Sequence, residues 1–155
     1  MTVFEFFNWC HETAIAVAIR ESLWLFPALQ ALHLVALAAL GGAVLVVDLR
    51  LLGLGLKGVP VKTLARDMSP WMTRSLVLII VTGVGMFVSE SLRYYGNAAF
   101  TAKMAAFVVA LAFTYGIRRR WTSADVTGSG GRVVGATSIL LWTAVAAAGR
   151  AVGFW

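Results

Sequence analysis

Four apolar stretches, each long enough to cross a lipid bilayer, constrain this chain more than any other feature. A membrane-spanning helix needs about 20 mostly apolar residues to cross ~30 Å of hydrocarbon. Such runs fall at about residues 23–47, 70–92, 98–115 and 133–153. Backbone polar groups in lipid must bond within their own segment, so these runs can only be helices. The expected architecture is all-α: an integral membrane four-helix bundle in a single membrane domain, residues 1–155, with an interfacial segment at residues 1–22. Composition agrees, because 13% of residues are charged against roughly 25% in a soluble domain.

The net charge of +6 does not mark a nucleic-acid binder. Its basic residues sit between the apolar spans, as membrane topology requires. Arg50, Lys57, Lys62 and Arg66 occupy the first connection, with Arg74 just beyond, and Arg118, Arg119, Arg120 and Arg132 occupy the third. The opposite side offers Arg20, Arg93 and Arg150. The positive-inside rule then puts connections one and three in the cytoplasm and both termini outside. Trp24, Trp71, Trp121 and Trp155 fall near span ends, as interfacial anchors do.

Between Thr2 and Ile19, the polar residues Glu5, Asn8 and Glu12 alternate with Phe4, Phe6, Phe7 and Trp9. That spacing suits an amphipathic helix lying in the interface. Residues 1–12 carry no Lys or Arg, unlike the start of a signal peptide. A single cysteine, Cys10, excludes an intramolecular disulfide. Gly128 to Gly131 reads as a flexible cytoplasmic loop. Gly53, Gly55 and Gly58 match a GxGxxG spacing but follow a membrane helix and open no βαβ unit, so they do not read as a dinucleotide site.

The chemistry concentrates on His33, inside the first span. An ionisable side chain at membrane depth is expensive and is by default a candidate functional group. At 1.5 Å per residue His33 lies roughly 14 Å inward from Trp24, near mid-span. Glu90 and Arg93 lie toward the outer end of the second span, Lys103 near the outer end of the third, and Arg150 near that of the fourth. Each span thus sends a polar group toward the outer half, whereas the inner half holds only the rim residues Asp48, Arg50 and Arg74. At 100° per residue Gln30, Leu37, Gly41 and Asp48 share a stripe beside His33, with Gly41 leaving room for a flat ligand. Lys103 shares one with Phe107, Ala110 and Thr114; Arg150 shares one with Thr143, Ala146 and Gly153; Glu90 shares one with Gly83 and Met86.

One reading is a haem b pocket, with imidazole as axial ligand and arginines pairing with propionates. The plainer reading is a polar cluster that ties helices together, with Glu90 paired to Lys103 or Arg150 and His33 bonded to Gln30 or a carbonyl. His11 is the only other histidine; Lys103, Met86 and Met104 are the remaining ligand candidates. A lysine ligates iron only as the neutral amine, which burial favours. A Ser/His/Asp triad is excluded, because Asp48 lies ~22 Å along the helix from His33. Dispersed methionines exclude a copper path. Gly149 to Gly153 is a weak GxxxG match.

Ile19 to Pro27, Leu32-His33, Gly41-Gly42 and Val47 to Gly53, followed by Thr82-Gly83, Met86-Phe87, Tyr95, Asn97, Ala99-Phe100 and Lys103, resemble a family of small bacterial four-helix membrane proteins of unknown function. More distantly, Ala31 to His33, a glycine some residues on, Arg50 and Lys103 resemble the HemJ-type protoporphyrinogen oxidases, and CopD-like and cytochrome b561-like proteins are looser relatives. This resemblance implies haem b bound through His33, with Lys103 as second ligand or pocket charge. Asp48-Leu-Arg50 stands where the HemJ family tends to have Pro-Arg, so the oxidase activity is not implied. The expectation is a haem-b-binding bacterial inner-membrane protein with a redox role. His33 would bind iron, Arg93 and Arg150 would neutralise propionates, Glu90 would balance charge, and Gln30 and Gly41 would line the pocket. A quinone or porphyrin is the expected small-molecule partner, in a homo-oligomer or a larger complex. A non-catalytic scaffold and a small transporter or proton conductor stay open beside it.

Overall fold

The computed structural model describes residues 2–124 and 128–152. Among them all regular structure is helical: α1 (Val3–Glu12), α2 (Ala14–Glu21), α3 (Leu25–Leu52), α4 (Val61–Ser89), α5 (Ser91–Tyr94), α6 (Ala98–Phe113), a π-helical turn (Thr114–Arg118), α7 (Arg119–Ser123) and α8 (Ser129–Val152). Four helical stretches are long and apolar enough to cross a membrane: Leu25–Leu52, Val61–Ser89, Ala98–Ser123 and Ser129–Val152. Leu34, Val35, Val81, Val84, Val108, Val109 and Leu140 stand exposed along them. In a membrane protein such positions meet lipid rather than water.

Two helices run further than hydropathy predicts. The second was expected to start at Pro70, yet α4 begins at Val61 and carries Pro70 in its interior. Packing explains this: Val61 and Leu64 are buried, so they hold two turns that are too polar to register as apolar. The third continues past Tyr115 to Ser123 because Thr114, Arg118 and Thr122 are also buried. The second ends sooner than expected, at Ser89, with Glu90 half-buried in the break before α5.

The chain packs as two compact units, residues 1–38 with 74–97 and residues 39–73 with 98–155; α3 and α4 each give one half to each. In the first unit the interfacial segment forms two helices rather than one. Thr2 and Glu5 form a capping box at α1, and Thr13 breaks the chain and caps α2. Phe7 meets Phe87 and Tyr95 edge-on, at centroid distances of 5.4 and 5.5 Å. Ser91 Oγ donates to the Phe7 carbonyl at 2.8 Å. Arg20 donates to the carbonyls of His11 (2.8 Å) and Ser89 (2.9 Å), tying α1 and the end of α4 to α2.

In the second unit α6 packs along α8, and small residues set the approach, as they do where hydrophobic burial cannot drive association in lipid. A Cβ on Gly135 would stand 2.9 Å from the Asp48 carbonyl oxygen and 3.1 Å from Leu51 Cβ. Gly130 lies under the Trp121 ring, with no room for a methyl group. The segment expected to be a flexible loop therefore differs: Gly128 lies in a bend, and Ser129 to Gly131 form the first turn of α8. Its glycines serve close approach rather than freedom. Trp121, near the end of its span, packs on a helix, while Trp24 and Trp71 are exposed, Trp71 lying inside α4 rather than at its end. Trp155 and Gly153 lie outside the described residues.

Gly53 ends α3 with φ +76°. Leu54 N–H donates to the Leu49 carbonyl at 3.0 Å, the six-residue closure of a Schellman cap. Arg50 Nε donates to the Val59 carbonyl at 2.7 Å and holds the loop that follows. The GxGxxG spacing is thus a helix stop and a turn.

Candidate functional site

The buried face of α3 runs through His33, Ala36, Leu40, Ala43, Val44, Val47, Asp48 and Leu51, close to a seven-residue repeat. His33 and Asp48 are its two ionisable residues, and each occupies a different unit.

His33 is 8% exposed. Its Nδ1 lies 2.7 Å from Thr82 Oγ1 on α4. The Thr82 hydroxyl also stands 2.6 Å from the Leu78 carbonyl, one turn back on the same helix, to which it can donate. A hydroxyl has one proton to give, so toward the imidazole Thr82 is then the acceptor. With the hydroxyl donating to Leu78, the imidazole proton is on Nδ1 and the lone pair on Nε2. Gly83 flanks the ring: a Cβ there would sit 3.5 Å from His33 Cε1. A ligating histidine is held in this way, by a partner on the other nitrogen that fixes tautomer and ring angle. His11 Nδ1 faces Arg20 Nη1 at 3.2 Å. A guanidinium only donates, so the His11 proton is on Nε2 and its lone pair is engaged.

The other expected pocket residues distribute as follows. Gln30 and Gly41 are exposed, Gly41 lying about 80° round the helix from His33, just past the edge of the buried stripe. Glu90 and Arg93 belong with His33 in the first unit, beyond the end of α4; Arg93 is exposed on α5. They stand beside Tyr94. Its phenol is held above the ordinary value, first by burial and next by the Glu90 charge, with Arg93 opposing. Lys103 belongs to the second unit, half-buried, its chain lying over Gly149 with Cε 3.6 Å from where a Cβ would stand. Arg150 is exposed together with Thr143 and Ala146. The stripe expected to face inward faces out, because Gly131, Gly135, Ser138 and Val145 claim the buried side of α8. The stripe of Lys103, Phe107, Ala110 and Thr114 does face α8: Trp142 meets Phe107 edge-on at 6.2 Å and donates Nε1–H to Thr114 Oγ1 at 3.1 Å.

Sequence reasoning missed a buried ion pair in the second unit. Arg118, expected in a solvated connection, is 4% exposed and donates Nε–H to Asp48 Oδ1 at 2.6 Å; Asp48 is fully buried. Arg118 Nη2 also donates to the Val44 carbonyl at 3.2 Å, and Nη1 lies 4.0 Å from Met72 Sδ. Ser138 Oγ sits beside the carboxylate, yet neither it nor Asp48 Oδ2 completes a hydrogen bond. The π turn makes this contact. An extra residue in the turn keeps positions four apart, Thr114, Arg118 and Thr122, on the buried face. A signal existed, since one more turn of the Lys103 stripe reaches Arg118.

Among the described residues no three His, Cys, Asp or Glu side chains gather as a metal site. A single axial histidine is not such a cluster, so His33 stands as a candidate by orientation alone. No curated protein and no solved structure matches the chain. A family profile does, over residues 6–155, and the chain belongs to that family of unknown function, DUF6644.

Proposed function

We propose that this membrane protein binds haem b through His33 and serves a redox role in the bacterial inner membrane. The observation that carries the reading is the imidazole orientation. His33 is buried in a membrane-length helix and its Nδ1 is 2.7 Å from Thr82 Oγ1, so that Nε2 is the ring nitrogen a metal would take. A resident haem would supply one-electron chemistry. This chain's part is to present Nε2, to fix the ring and to exclude water from it. A distant resemblance of Ala31 to His33 and of Arg50 to HemJ-type sequences is in keeping with this reading. The basic connections between α3 and α4 and between α7 and α8 belong in the cytoplasm by the positive-inside rule, with both termini outside.

The test is an absorption spectrum of the full chain in mild detergent, oxidised and then dithionite-reduced, for wild type and His33→Ala. A Soret band that shifts on reduction and vanishes in the variant supports the proposal. A wild type that stays colourless after expression with added haem refutes it. The second reading, a non-catalytic scaffold, draws on the same contacts as ties between helices: His33 with Thr82, and Asp48 with Arg118. It predicts a colourless protein in which His33→Ala lowers stability alone.

A further inference from the structure

The second unit holds an open pocket of about 590 Å³ between the first turns of α4 and the π turn with α7. That volume is within the range of small-ligand sites, roughly 300–1,000 Å³. Four cationic residues line it, Lys62 and Arg66 from α4 and Arg118 and Arg119 from the other wall, and the described lining contains no carboxylate. Arg118 spends its charge on Asp48 behind the wall. Arg66 meets Asp67 only at 3.5 Å, with both side chains largely exposed, an ion pair of little strength. Lys62 and Thr63 stand in the first turn of a 29-residue helix, where backbone N–H groups and the macrodipole favour negative charge. Met72, Ala65 and Tyr115 add apolar surface to the lining. Val61 begins one membrane-length helix and Ser123 ends another, so the pocket opens at the end of two spans.

We propose that this pocket binds a phosphate oxyanion at the membrane boundary, with Arg66 and Arg119 as its principal contacts. An anionic phospholipid headgroup and a soluble phosphate present the same chemistry. Basic pockets between membrane helices on the cytoplasmic side bind such headgroups elsewhere. The proposal is independent of haem, since every lining residue lies in the unit that lacks His33.

The test uses the full chain in detergent and native mass spectrometry. Palmitoyl-oleoyl phosphatidylglycerol, the matching phosphatidylcholine and inorganic phosphate are titrated separately into wild type and Arg66→Gln/Arg119→Gln. Arg120→Gln, outside the pocket, serves as a charge control, and Arg66→Lys/Arg119→Lys shows whether charge suffices. The expected result is phosphatidylglycerol binding over phosphatidylcholine, weakened about 30-fold in the double Gln variant, roughly fivefold for each charge. Arg120→Gln should bind like wild type. If inorganic phosphate binding is lost in the same variant without any lipid preference, the site is confirmed and its source is a soluble phosphate. Equal binding of both lipids and of phosphate by wild type and the double Gln variant would overturn the proposal. So would equal weakening by Arg120→Gln.

Discussion

Removing either member of the Asp48–Arg118 pair should cost far more stability than removing both. The pair is 2.6 Å apart with side chains 0% and 4% exposed, inside membrane-length helices. Asp48→Leu leaves a guanidinium buried, its Nη2–Val44 carbonyl bond supplying only part of what it loses. Arg118→Met leaves a carboxylate with no cation and with Oδ2 already unsatisfied. Breaking a buried pair from one side costs about 3–5 kcal/mol. Removing both with apolar groups of similar size often costs little. The double variant Asp48→Leu/Arg118→Met should therefore lie close to wild type, giving a coupling energy of about 3 kcal/mol or more. Unfolding in dodecyl maltoside with increasing sodium dodecyl sulfate, followed by helical circular dichroism, reads the four corners of the cycle. Additive losses, with the double variant as weak as the sum of the singles, would refute the argument. They would mean that each residue is held by its other neighbours and that the charges do not need each other.

Other outcomes follow from single contacts. Thr82→Val removes the hydroxyl that pairs with His33 Nδ1. If haem binds, its affinity should fall about 10- to 100-fold, as for lost outer-shell partners of metal ligands; titration of the apo-protein with haem measures this. Gly135→Val drives a branched side chain onto the Asp48 carbonyl and Leu51. It should cost about 1–3 kcal/mol, as overpacking does, seen in the same unfolding assay, whereas Gly41→Ala, with nothing near its Cβ position, should be nearly neutral. Glu90→Gln removes one cause that holds the Tyr94 phenol up, so its titration should move toward the ordinary value, read as phenolate absorbance. Because the folded protein keeps that proton longer than the unfolded chain, stability should fall as pH rises from the ordinary tyrosine value toward the raised one.

The four spans were legible because lipid leaves the backbone no alternative to helix once about 20 apolar residues stand together. Their ends were not, because packing overrides hydropathy there. Val61 and Leu64 extend a helix through polar sequence, and Arg118 extends another by finding Asp48. The error about Arg118 and the error about Gly128 to Gly131 share a cause. Charge and glycine were each read by their commonest use, solvation and freedom, whereas both serve close helix contact here. A run of apolar residues reports burial in lipid or protein without distinguishing them, so it cannot say which face of α8 turns inward. The glycines do say it: Gly131 and Gly135 lie four apart on the buried side of α8, and small residues mark the face that meets another helix. His33 was legible as a lone ionisable group at depth, but its tautomer was not, because that depends on where Thr82 sends its one proton. Depth made the imidazole a candidate, and the hydroxyl that meets its Nδ1 stands 49 residues away in the chain.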